Sequence, residues 1–585
     1  MYGLNKLYLL MEKQHNRGQD GAGIATVKLH TEPGYPFMHR LRSSASQPIA
    51  DLFLQVGKEI AEVEKHQPDI RNHPGLMKGH IDYLGEVLLG HLRYGTQGKN
   101  NVEFCHPFIK RNTIPVRNLA LAGNFNLVNT DELFGLINID PAEFQRQSDL
   151  AAMMEVLHHF IVKADEAFPG MMDIVKVLKK AVPLFDGGFH FAGMLGNGDG
   201  FVMRDAHGIR PSYYYINDDV IVAASERAAI RTAFNVGENE VQELMPGMAL
   251  VAYADGSYAL EQIVEPKERK ACSFERIYFS RGSDEKIYRE RIALGHNLSD
   301  TVLKAINYDL RNTIFSFIPN TAETAFYGLI KGAEDYLNKI KIERIMSWGN
   351  DFDEEKLSEM VNRRIRIEKI AIKDVKLRTF ITEDVNRNEM VQHVYDITYG
   401  TVRKGEDTLV VIDDSIVRGT TLKESIIRML SRLQPKMIIV VSSAPQIRYP
   451  DCYGIDMSKL GDFIAFRAVI ELLKESGQEN LLTEIFDKCK ELHRNNQLHT
   501  ENLVRQLYKP FTLDEISNKI AALITPKDVE IPVSVIYQTI ESLHQACPTN
   551  TGDWYFTGNY PTAGGNRVCN KAFMNYMEGK NVRGY

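Results

Sequence analysis

Two adjacent acids that run into a hydroxyl-rich turn are the most chemically suggestive feature of the chain. The segment Asp413–Thr421 reads Asp-Asp-Ser-Ile-Val-Arg-Gly-Thr-Thr. Its hydroxyl groups can donate to an anion, and Gly419 lets the backbone approach that anion closely. The two carboxylates would repel a phosphate but accept hydrogen bonds from vicinal hydroxyls. The segment predicts a site for a phosphorylated ribose, although an ordinary solvated strand-to-helix loop is the alternative.

The flanking residues predict elements that can position this turn. Leu409–Ile412 is an apolar, β-branched run, which is typical of a buried parallel strand. From Leu422 apolar residues recur every three or four positions, which predicts a helix with a capping box from Thr421 to Glu424. Met437–Val441 then predicts the next strand of a βαβ unit. Ligands bind at the carboxyl ends of such strands, where the helix N-terminus favours a phosphate.

Length and charge limit the class of protein. A chain of 585 residues is too long for one core, so two to four domains are expected. A net charge of −7 and a pI near 6.2 argue against a general nucleic-acid binder. No run of 18 apolar residues occurs, and Glu12 and Lys13 interrupt the first apolar stretch, so we expect neither a membrane span nor a secretory signal. A cytoplasmic location is the default.

The cysteines predict neither a disulfide framework nor a zinc site. The six are scattered, and no two have the Cys-x-x-Cys spacing. We therefore expect reduced thiols.

Polar islands at strand ends mark the amino-terminal half, where short apolar runs and glycine-rich turns indicate layered α and β elements. Each island alone is most often just a turn. The islands are His15–Gly23, Gly90–Thr96, Gly123–Thr130 and the pair Ser148–Asp149, which opens a helix-like stretch.

Taken in order, these islands resemble the class II glutamine amidotransferases. The resemblance implies a four-layer αββα fold of the N-terminal-nucleophile type. It also implies that Arg93 binds the glutamine carboxylate and that Asp149 binds its ammonium. Asn124 would supply the oxyanion-hole side chain, and the backbone N–H of Phe125, where the family usually has glycine, would complete the hole.

The family's nucleophile has no counterpart in this sequence. The resemblance implies a mature amino-terminal cysteine about twenty residues before the Arg-Gly-Gln-Asp element, whereas this sequence begins Met1-Tyr2-Gly3 and its first cysteine is Cys105. We therefore expect no glutamine hydrolysis by the chain as written. Either the natural product starts upstream or the domain has lost this activity. The retained residues Arg93, Asn124 and Asp149 favour the first explanation.

The carboxyl-terminal half resembles the amidophosphoribosyltransferases, which combine such a domain with a type I phosphoribosyltransferase. Asp413–Thr421 is similar to their signature for phosphoribosyl diphosphate (PRPP). The resemblance implies that Asp413 and Asp414 orient the ribose and contribute to a Mg²⁺ site. The residues implied to hold the 5′-phosphate are Ser415, Ile416, Val417, Arg418, Gly419, Thr420 and Thr421.

Three further segments bear on this resemblance. Ile318–Thr321 is similar to the turn that faces the diphosphate, and Lys376 and Arg378 match the loop that closes over PRPP and excludes water. Some members carry a [4Fe–4S] cluster, but Gly552 and Tyr555 stand where two of its cysteines would be, so a cluster is not expected. The family's Arg-x-Lys-Leu-Asn element has no clear match.

The resemblance implies mixed α/β and α+β architecture in three parts. Residues 1–255 would form the amidotransferase-like domain, 256–475 a parallel-sheet phosphoribosyltransferase domain, and 476–585 a helical extension. The implied activity makes 5-phosphoribosylamine and diphosphate from PRPP and ammonia derived from glutamine, in purine biosynthesis. Family members are homo-oligomers inhibited by purine nucleotides. A non-catalytic PRPP- or nucleotide-sensing paralogue is the alternative.

Overall fold

The computed structural model describes residues 1–31, 35–95, 101–137, 149–349, 353–373, 395–455 and 457–584. The α-helices are α1 Tyr2–Lys13, α2 Pro48–His66, α3 Pro74–His80, α4 Thr130–Leu136, α5 Asp149–Ala167, α6 Ile174–Ala181, α7 Arg227–Phe234, α8 Glu285–Ala305, α9 Glu323–Ser347, α10 Glu354–Asn362, α11 Arg428–Ser431, α12 Ile464–Glu475, α13 Asn480–Arg494, α14 Arg505–Tyr508, α15 Leu513–Ile524, α16 Ile540–Ala546, α17 Trp554–Thr557 and α18 Ala563–Met577. Two π-helical segments are Glu275–Phe279 and Leu422–Ile427.

The strands are β1 Gly21–Val27, β2 Met38–Ser43, β3 Val87–Arg93, β4 Phe108–Lys110, β5 Leu119–Leu127, β6 Gly187–Leu195, β7 Gly200–Arg204, β8 Tyr213–Ile216, β9 Ile221–Ala224, β10 Gln242–Glu243, β11 Met248–Ala252, β12 Tyr258–Gln262, β13 Thr313–Phe317, β14 Arg366–Ile367, β15 Ala371–Lys373, β16 Tyr395–Ile397, β17 Thr408–Asp413, β18 Met437–Ser442 and β19 Val533–Tyr537. Short 3₁₀ turns lie at His15–Arg17, Ile70–Asn72, Val102–Phe104, Pro115–Arg117, Val182–Leu184, Glu238–Glu240 and Leu460–Asp462.

The amino-terminal half is built from antiparallel sheets between helices. Its largest sheet has the order β12-β11-β7-β6-β5-β4, and smaller sheets have the orders β2-β1-β3 and β10-β8-β9. Helices α5 and α6 bury their apolar faces against β5 and β6, where Leu150 and Leu157 pack with Phe189 and Phe191. Helices α1 and α2 cover the β1–β3 sheet through residues such as Leu52 and Ile24. This confirms the predicted layered arrangement.

The carboxyl-terminal half centres on a parallel sheet of order β14-β13-β17-β18-β19. The apolar runs predicted as strands, Leu409–Ile412 and Met437–Val441, lie in β17 and β18, and their central residues are fully buried. Helices pack against both faces of the sheet. Because side chains on both faces of its strands are then buried, these strands need continuous runs of apolar residues. The predicted parallel-sheet domain with carboxyl-terminal helices is confirmed.

Elements on both sides of each predicted domain boundary share a sheet. Strand β12, which lies beyond residue 255, pairs with β11. Strand β19, which lies beyond residue 475, pairs in parallel with β18. The three-part division therefore describes segments of sequence that pack together closely.

The capping box predicted at Thr421 is wrong. Thr421 has helical φ and ψ of −61° and −40°, and its side chain caps no backbone N–H. An N-cap hydroxyl needs extended backbone at its own residue to reach the N–H groups two or three positions on. A helix follows the turn as predicted, but helical backbone already begins at Thr420, the segment Leu422–Ile427 is π-helical, and α11 follows it.

Among the described residues, no helix combines the length and the apolar character that crossing a membrane requires.

Candidate functional site

The acidic pair lies at the carboxyl edge of the parallel sheet. Asp413 is the last residue of β17 and stands opposite Ser442 in β18. The next residue, Ser443, donates its N–H to the Asp413 carbonyl at 3.0 Å and its hydroxyl to the Asp414 carbonyl at 3.0 Å. The backbone of both acids is thus held between two strand ends, which leaves their carboxylates at the edge where parallel sheets bind ligands.

The two carboxylates repel each other. Asp413 accepts the N–H of Asp414 at 2.9 Å, and Asp414 accepts the hydroxyl of Ser415 at 2.9 Å. Burial and the neighbouring charge of Asp414 raise the pKa of Asp413 well above its usual value. A cation or the hydroxyls of a sugar would relieve this repulsion.

The turn after the acids is anchored on one side and open on the other. The Ile416 side chain is buried, and the carbonyl of Val417 accepts the N–H of Ile464 at 2.9 Å. Thr420 and Thr421 are exposed. Within the part of the chain that the structure describes, the N–H groups of Arg418–Thr421 reach no acceptor. Exposed hydroxyls beside unpaired N–H groups at a helix start suit a phosphate.

Gly419 shapes this turn through a left-handed backbone. Its φ is +72°, and a Cβ at this position would lie 2.9 Å from Cγ2 of Ile524. A side chain would be strained and would also collide with α15. Arg418 points elsewhere, since its guanidinium lies 3.5 Å from the Asp462 carboxylate and is more than half exposed.

The donor set fits Mg²⁺ bound mainly through a substrate. No cluster of three or more His, Cys, Asp or Glu able to hold a metal occurs among the described residues. Mg²⁺ in phosphate-handling sites commonly uses one or two carboxylates together with phosphate oxygens and waters. Asp413 and Asp414 supply that number of carboxylates.

Neighbouring elements complete this edge of the sheet. The N–H of Ile318 donates to the Ile412 carbonyl at 2.9 Å, which places the turn after β13 beside the acids. Arg291 in α8 is buried, and its guanidinium donates to the carbonyl of Arg276 at 2.8 Å and to that of Ser280 at 2.7 Å. Lys376 and Arg378 lie outside the described residues.

A second site is a cavity of about 510 Å³ in the amino-terminal half. The structure brings all four predicted residues to its wall: Arg93, Asn124, Phe125 and Asp149. The cavity also borders residues that the sequence did not single out for a role here, namely His91, His106, His190, Ser225 and Arg583.

Three neutral histidines surround the predicted oxyanion hole. His190 stands opposite Asn124 in the β5–β6 pair. The rings of His91 and His106 lie 4.2 Å apart, and each contacts the backbone of Gly123. Burial lowers the pKa of His91 to about 4 and that of His190 to about 3, the latter with help from Arg204. These rings therefore hold the strand in place without charge at neutral pH.

Asp149 is poised to receive a cation. It begins α5, and its Oδ2 accepts the N–H of Leu127 at 3.0 Å. Burial raises its pKa to about 6, while that hydrogen bond and the charge of Arg583 oppose the rise. A carboxylate that is ionised at neutral pH but poorly solvated binds an ammonium group favourably.

Arg93 is buried and turned toward one end of the cavity. Its guanidinium carbon lies 5.7 Å from the centre of the Phe104 ring, and Nη1 lies 3.5 Å from the Asn101 carbonyl. The adjoining thiol of Cys105 is fully buried, and burial raises its pKa. This thiol is therefore not a nucleophile for the cavity.

Tyr555 occupies a buried position beside Cys272. Its hydroxyl lies 3.1 Å from the Cys272 sulfur and accepts the N–H of Phe274 at 2.8 Å, while Gly552 forms a β-bridge with Cys272. Burial raises the pKa of Cys272 to about 12, so this thiol stays protonated. Each of the six cysteines is buried and outside any disulfide.

Comparisons with known proteins relate both halves of the chain to described families. The family model described as "Glutamine amidotransferase domain" matches residues 107–232. Curated amidophosphoribosyltransferases are similar over most of the chain: that of Pasteurella multocida is 26% identical over 82% of this chain and 84% of its own length, and that of Pseudomonas aeruginosa is 27% identical over 78% and 80%. The Escherichia coli protein of the same name is 26% identical over 81% and 83%.

Solved structures share the fold along nearly the whole chain. A Bacillus subtilis glutamine PRPP amidotransferase, complexed with ADP and GMP, matches with a TM-score of 0.63 at 21% identity and covers 95% of both chains. A structure described as the allosteric regulatory enzyme of purine biosynthesis also matches with a TM-score of 0.63, at 22% identity over 95% of this chain and 93% of its own.

Proposed function

We infer that this chain, which belongs to the amidophosphoribosyltransferase family, makes 5-phosphoribosylamine and diphosphate from PRPP and glutamine-derived ammonia. This reaction is the first step of de novo purine biosynthesis. The observation that carries the inference is the Asp413–Thr421 turn, whose acids and open N–H groups lie together at the carboxyl edge of a parallel sheet.

The turn and the acids divide the substrate between them. We propose that the residues from Ser415 to Thr421 hold the 5′-phosphate, with Gly419 allowing close approach of the backbone. Asp413 and Asp414 bind the ribose hydroxyls and contribute to Mg²⁺ binding. When bound, Mg²⁺ neutralises charge on the diphosphate as it leaves C1 of the ribose. A nitrogen lone pair attacks that carbon, the bond to the diphosphate oxygen breaks, and the ammonia nitrogen then loses a proton.

The amino-terminal cavity is the proposed glutamine site. Arg93 and Asp149 supply a cation and an anion for the two ends of a free amino acid, and both lie on its wall. The attacking group would be the thiolate of the family's amino-terminal cysteine, and the Asn124 side chain and the Phe125 N–H are proposed to stabilise the oxyanion that this attack forms. The sequence as given begins Met1-Tyr2-Gly3, so this step is proposed only for a chain that carries that cysteine. Ammonia released here would then travel to the PRPP site.

Other features of the family enter as proposals. We propose a cytoplasmic homo-oligomer that binds purine nucleotides as feedback inhibitors, supported by the ADP and GMP in the B. subtilis relative. Residues 1–255 would provide ammonia, 256–475 would bind PRPP, and 476–585 would pack both together. We propose these segments as functional parts of the chain, and strands β12 and β19 pair with strands on the other side of the two boundaries.

The test is PRPP-dependent release of diphosphate with Mg²⁺ and an ammonium salt, which bypasses glutamine. We expect release by the unmodified protein and a loss of at least about 100-fold, equivalent to about 2.7 kcal/mol of transition-state binding, in D413N and D414N. The matched control is D462N, which removes a different acid near the same turn. The Asp462 carboxylate faces the Arg418 guanidinium. Absence of release with PRPP still bound would support the sensing paralogue, which relatives named as enzymes over four fifths of the chain do not favour.

A further inference from the structure

Ser443, the first residue after β18, bonds to the backbone of both acids at the end of β17. Its N–H donates to the Asp413 carbonyl at 3.0 Å, and its hydroxyl donates to the Asp414 carbonyl at 3.0 Å. Only 2% of the residue is exposed. Because water has little access to such a position, a carbonyl that lost its donor here would not readily be hydrated. Both bonds therefore constrain the acidic segment firmly.

The first of these bonds fixes the peptide group between the two acids. Both peptide bonds of the segment are trans, and in a trans peptide the C=O and the N–H point in opposite directions. Because Ser443 holds the Asp413 carbonyl, the N–H of Asp414 is turned the other way, and it donates to Oδ1 of Asp413 at 2.9 Å. The bond from Ser443 thus also orients the Asp413 carboxylate.

The second bond acts in the same way on the peptide group between Asp414 and Ser415. Since its carbonyl accepts the Ser443 hydroxyl, its N–H points away from Ser443. Among the described residues, this N–H of Ser415 meets no acceptor. The Ser415 hydroxyl, in contrast, is donated to Oδ1 of Asp414 at 2.9 Å. The N–H is therefore a donor left for a ligand, at the start of the turn that is proposed to hold the 5′-phosphate.

The segment that carries Ser443 is itself anchored, so it can serve as a fixed support. The hydroxyl of the preceding residue, Ser442, donates to the Ala444 carbonyl at 2.8 Å. Farther along, the Gln446 side chain donates to the hydroxyl of Ser517 in α15 at 2.9 Å. Ala444 and Gln446 are both buried. These contacts hold the start of the loop after β18 against the rest of the domain.

We propose that Ser443 is a positioning residue for PRPP, whose hydroxyl aims the Ser415 N–H and the two aspartates at the substrate. This role rests on the proposed function of the Asp413–Thr421 turn. Ser443 contacts no substrate atom; it acts through the two peptide groups that it holds. Loss of its hydroxyl lets the peptide group between Asp414 and Ser415 rotate, so that the N–H and the carboxylates no longer face one ligand.

The test is S443A in the ammonia-dependent assay, together with calorimetry of PRPP binding in the presence of Mg²⁺. We expect KM and Kd for PRPP to rise about tenfold, because a donor aimed at a charged ligand is lost. We expect kcat to change by less than about threefold, because the acids themselves remain. S443T keeps a hydroxyl at this position and should restore most of the binding.

S442A is the matched control, because it removes a similarly buried serine hydroxyl one residue away. Within the described part of the chain, that hydroxyl bonds to Ala444 and to neither acid. Both variants should lower the thermal midpoint by a similar amount, but only S443A should raise KM. An unchanged KM in S443A, or the same rise in S442A, would overturn the role of Ser443 alone. If the unmodified protein binds no PRPP, the proposed function is wrong and this role is overturned with it.

Discussion

The guanidinium of Arg17 and the carboxylate of Glu275 form a buried ion pair, with Nη1 and Oε2 2.9 Å apart. Arg17 also pairs with Glu226 at 2.8 Å, and the Glu275 partner belongs to the segment that leads into the transferase half. Burial lowers the pKa of Arg17, but Glu275 and Glu226 outweigh it and keep the pKa above its usual value. This pair joins the two halves of the chain through charges shielded from water.

R17M should destabilise the protein, because it leaves two buried carboxylates without this cation. We expect the free energy of unfolding to fall by about 3 kcal/mol, measured by urea denaturation. R289M is the control, since Arg289 and Glu285 form a largely exposed pair on α8, and a change within about 0.5 kcal/mol is expected there. Equal losses in the two variants would show that burial of the Arg17 pair is unimportant.

G419A should weaken PRPP binding. The substitution adds strain at a φ of +72° and places a Cβ 2.9 Å from Ile524, so the phosphate turn must shift. We expect KM for PRPP in the ammonia-dependent assay to rise about tenfold. G405A meets the same backbone penalty at a φ of +70° with no atom within 4 Å, and it lies before β17, away from the turn. KM should stay unchanged in G405A; a parallel rise would make strain alone the cause.

Glutamine binding should weaken as the pH falls through about 6. Burial raises the pKa of Asp149 to about that value, so the carboxylate that binds the ammonium is lost by protonation below it. His91 and His190 have pKa values of about 4 and 3 and do not titrate in this range. Calorimetry between about pH 5 and pH 8 measures the profile, and D149N should bind weakly with no such step. A step that persists in D149N would assign it to another group.

The ionised carboxylate of Asp407 should stabilise the folded protein, and its protonation at low pH should remove that stabilisation. Burial raises its pKa, but hydrogen bonds from Arg366 and Arg403 outweigh it and lower the value to about 2. Because the folded pKa is below the unfolded value of about 3.8, the contribution is fully present above that value and is lost as the pH falls toward 2. The difference in unfolding free energy between the unmodified protein and D407N should be constant above about pH 5 and shrink below about pH 4. A constant difference across this range would contradict the ion-pair account.

Local sequence was sufficient to predict the elements around the PRPP turn. Strands β17 and β18 are continuous apolar runs, and a buried parallel strand is the arrangement that such runs favour. The resemblance to the class II glutamine amidotransferases, and not a local pattern, pointed to Arg93, Asn124, Phe125 and Asp149; the structure brings these four residues to the wall of one cavity, and their roles stay predictions. The failed capping box at Thr421 shows the limit of a local pattern, because the turn's conformation is set by contacts with α12 and α15.

No local sequence pattern singled out two buried or partly buried arginines whose surroundings come from tertiary packing. Arg291 and Arg583 are single arginines on helix-like or tail segments, where a charged residue is usually a solvated one. Arg583 reaches the wall of the amino-terminal cavity from the other end of the chain, and Arg291 donates to the carbonyls of Arg276 and Ser280. No periodicity records such a contact, so only the structure identifies them.

Strand β19 is synthesised well after β18, the strand with which it pairs. It pairs with β18 after an interval of about 90 residues of mostly helical chain, so the hydrogen-bonding edge of β18 stays open until Val533–Tyr537 has left the ribosome. An exposed parallel edge with the sequence of β18 is prone to pair with other chains. That edge of β18 is therefore protected only once β19 has been added to the sheet.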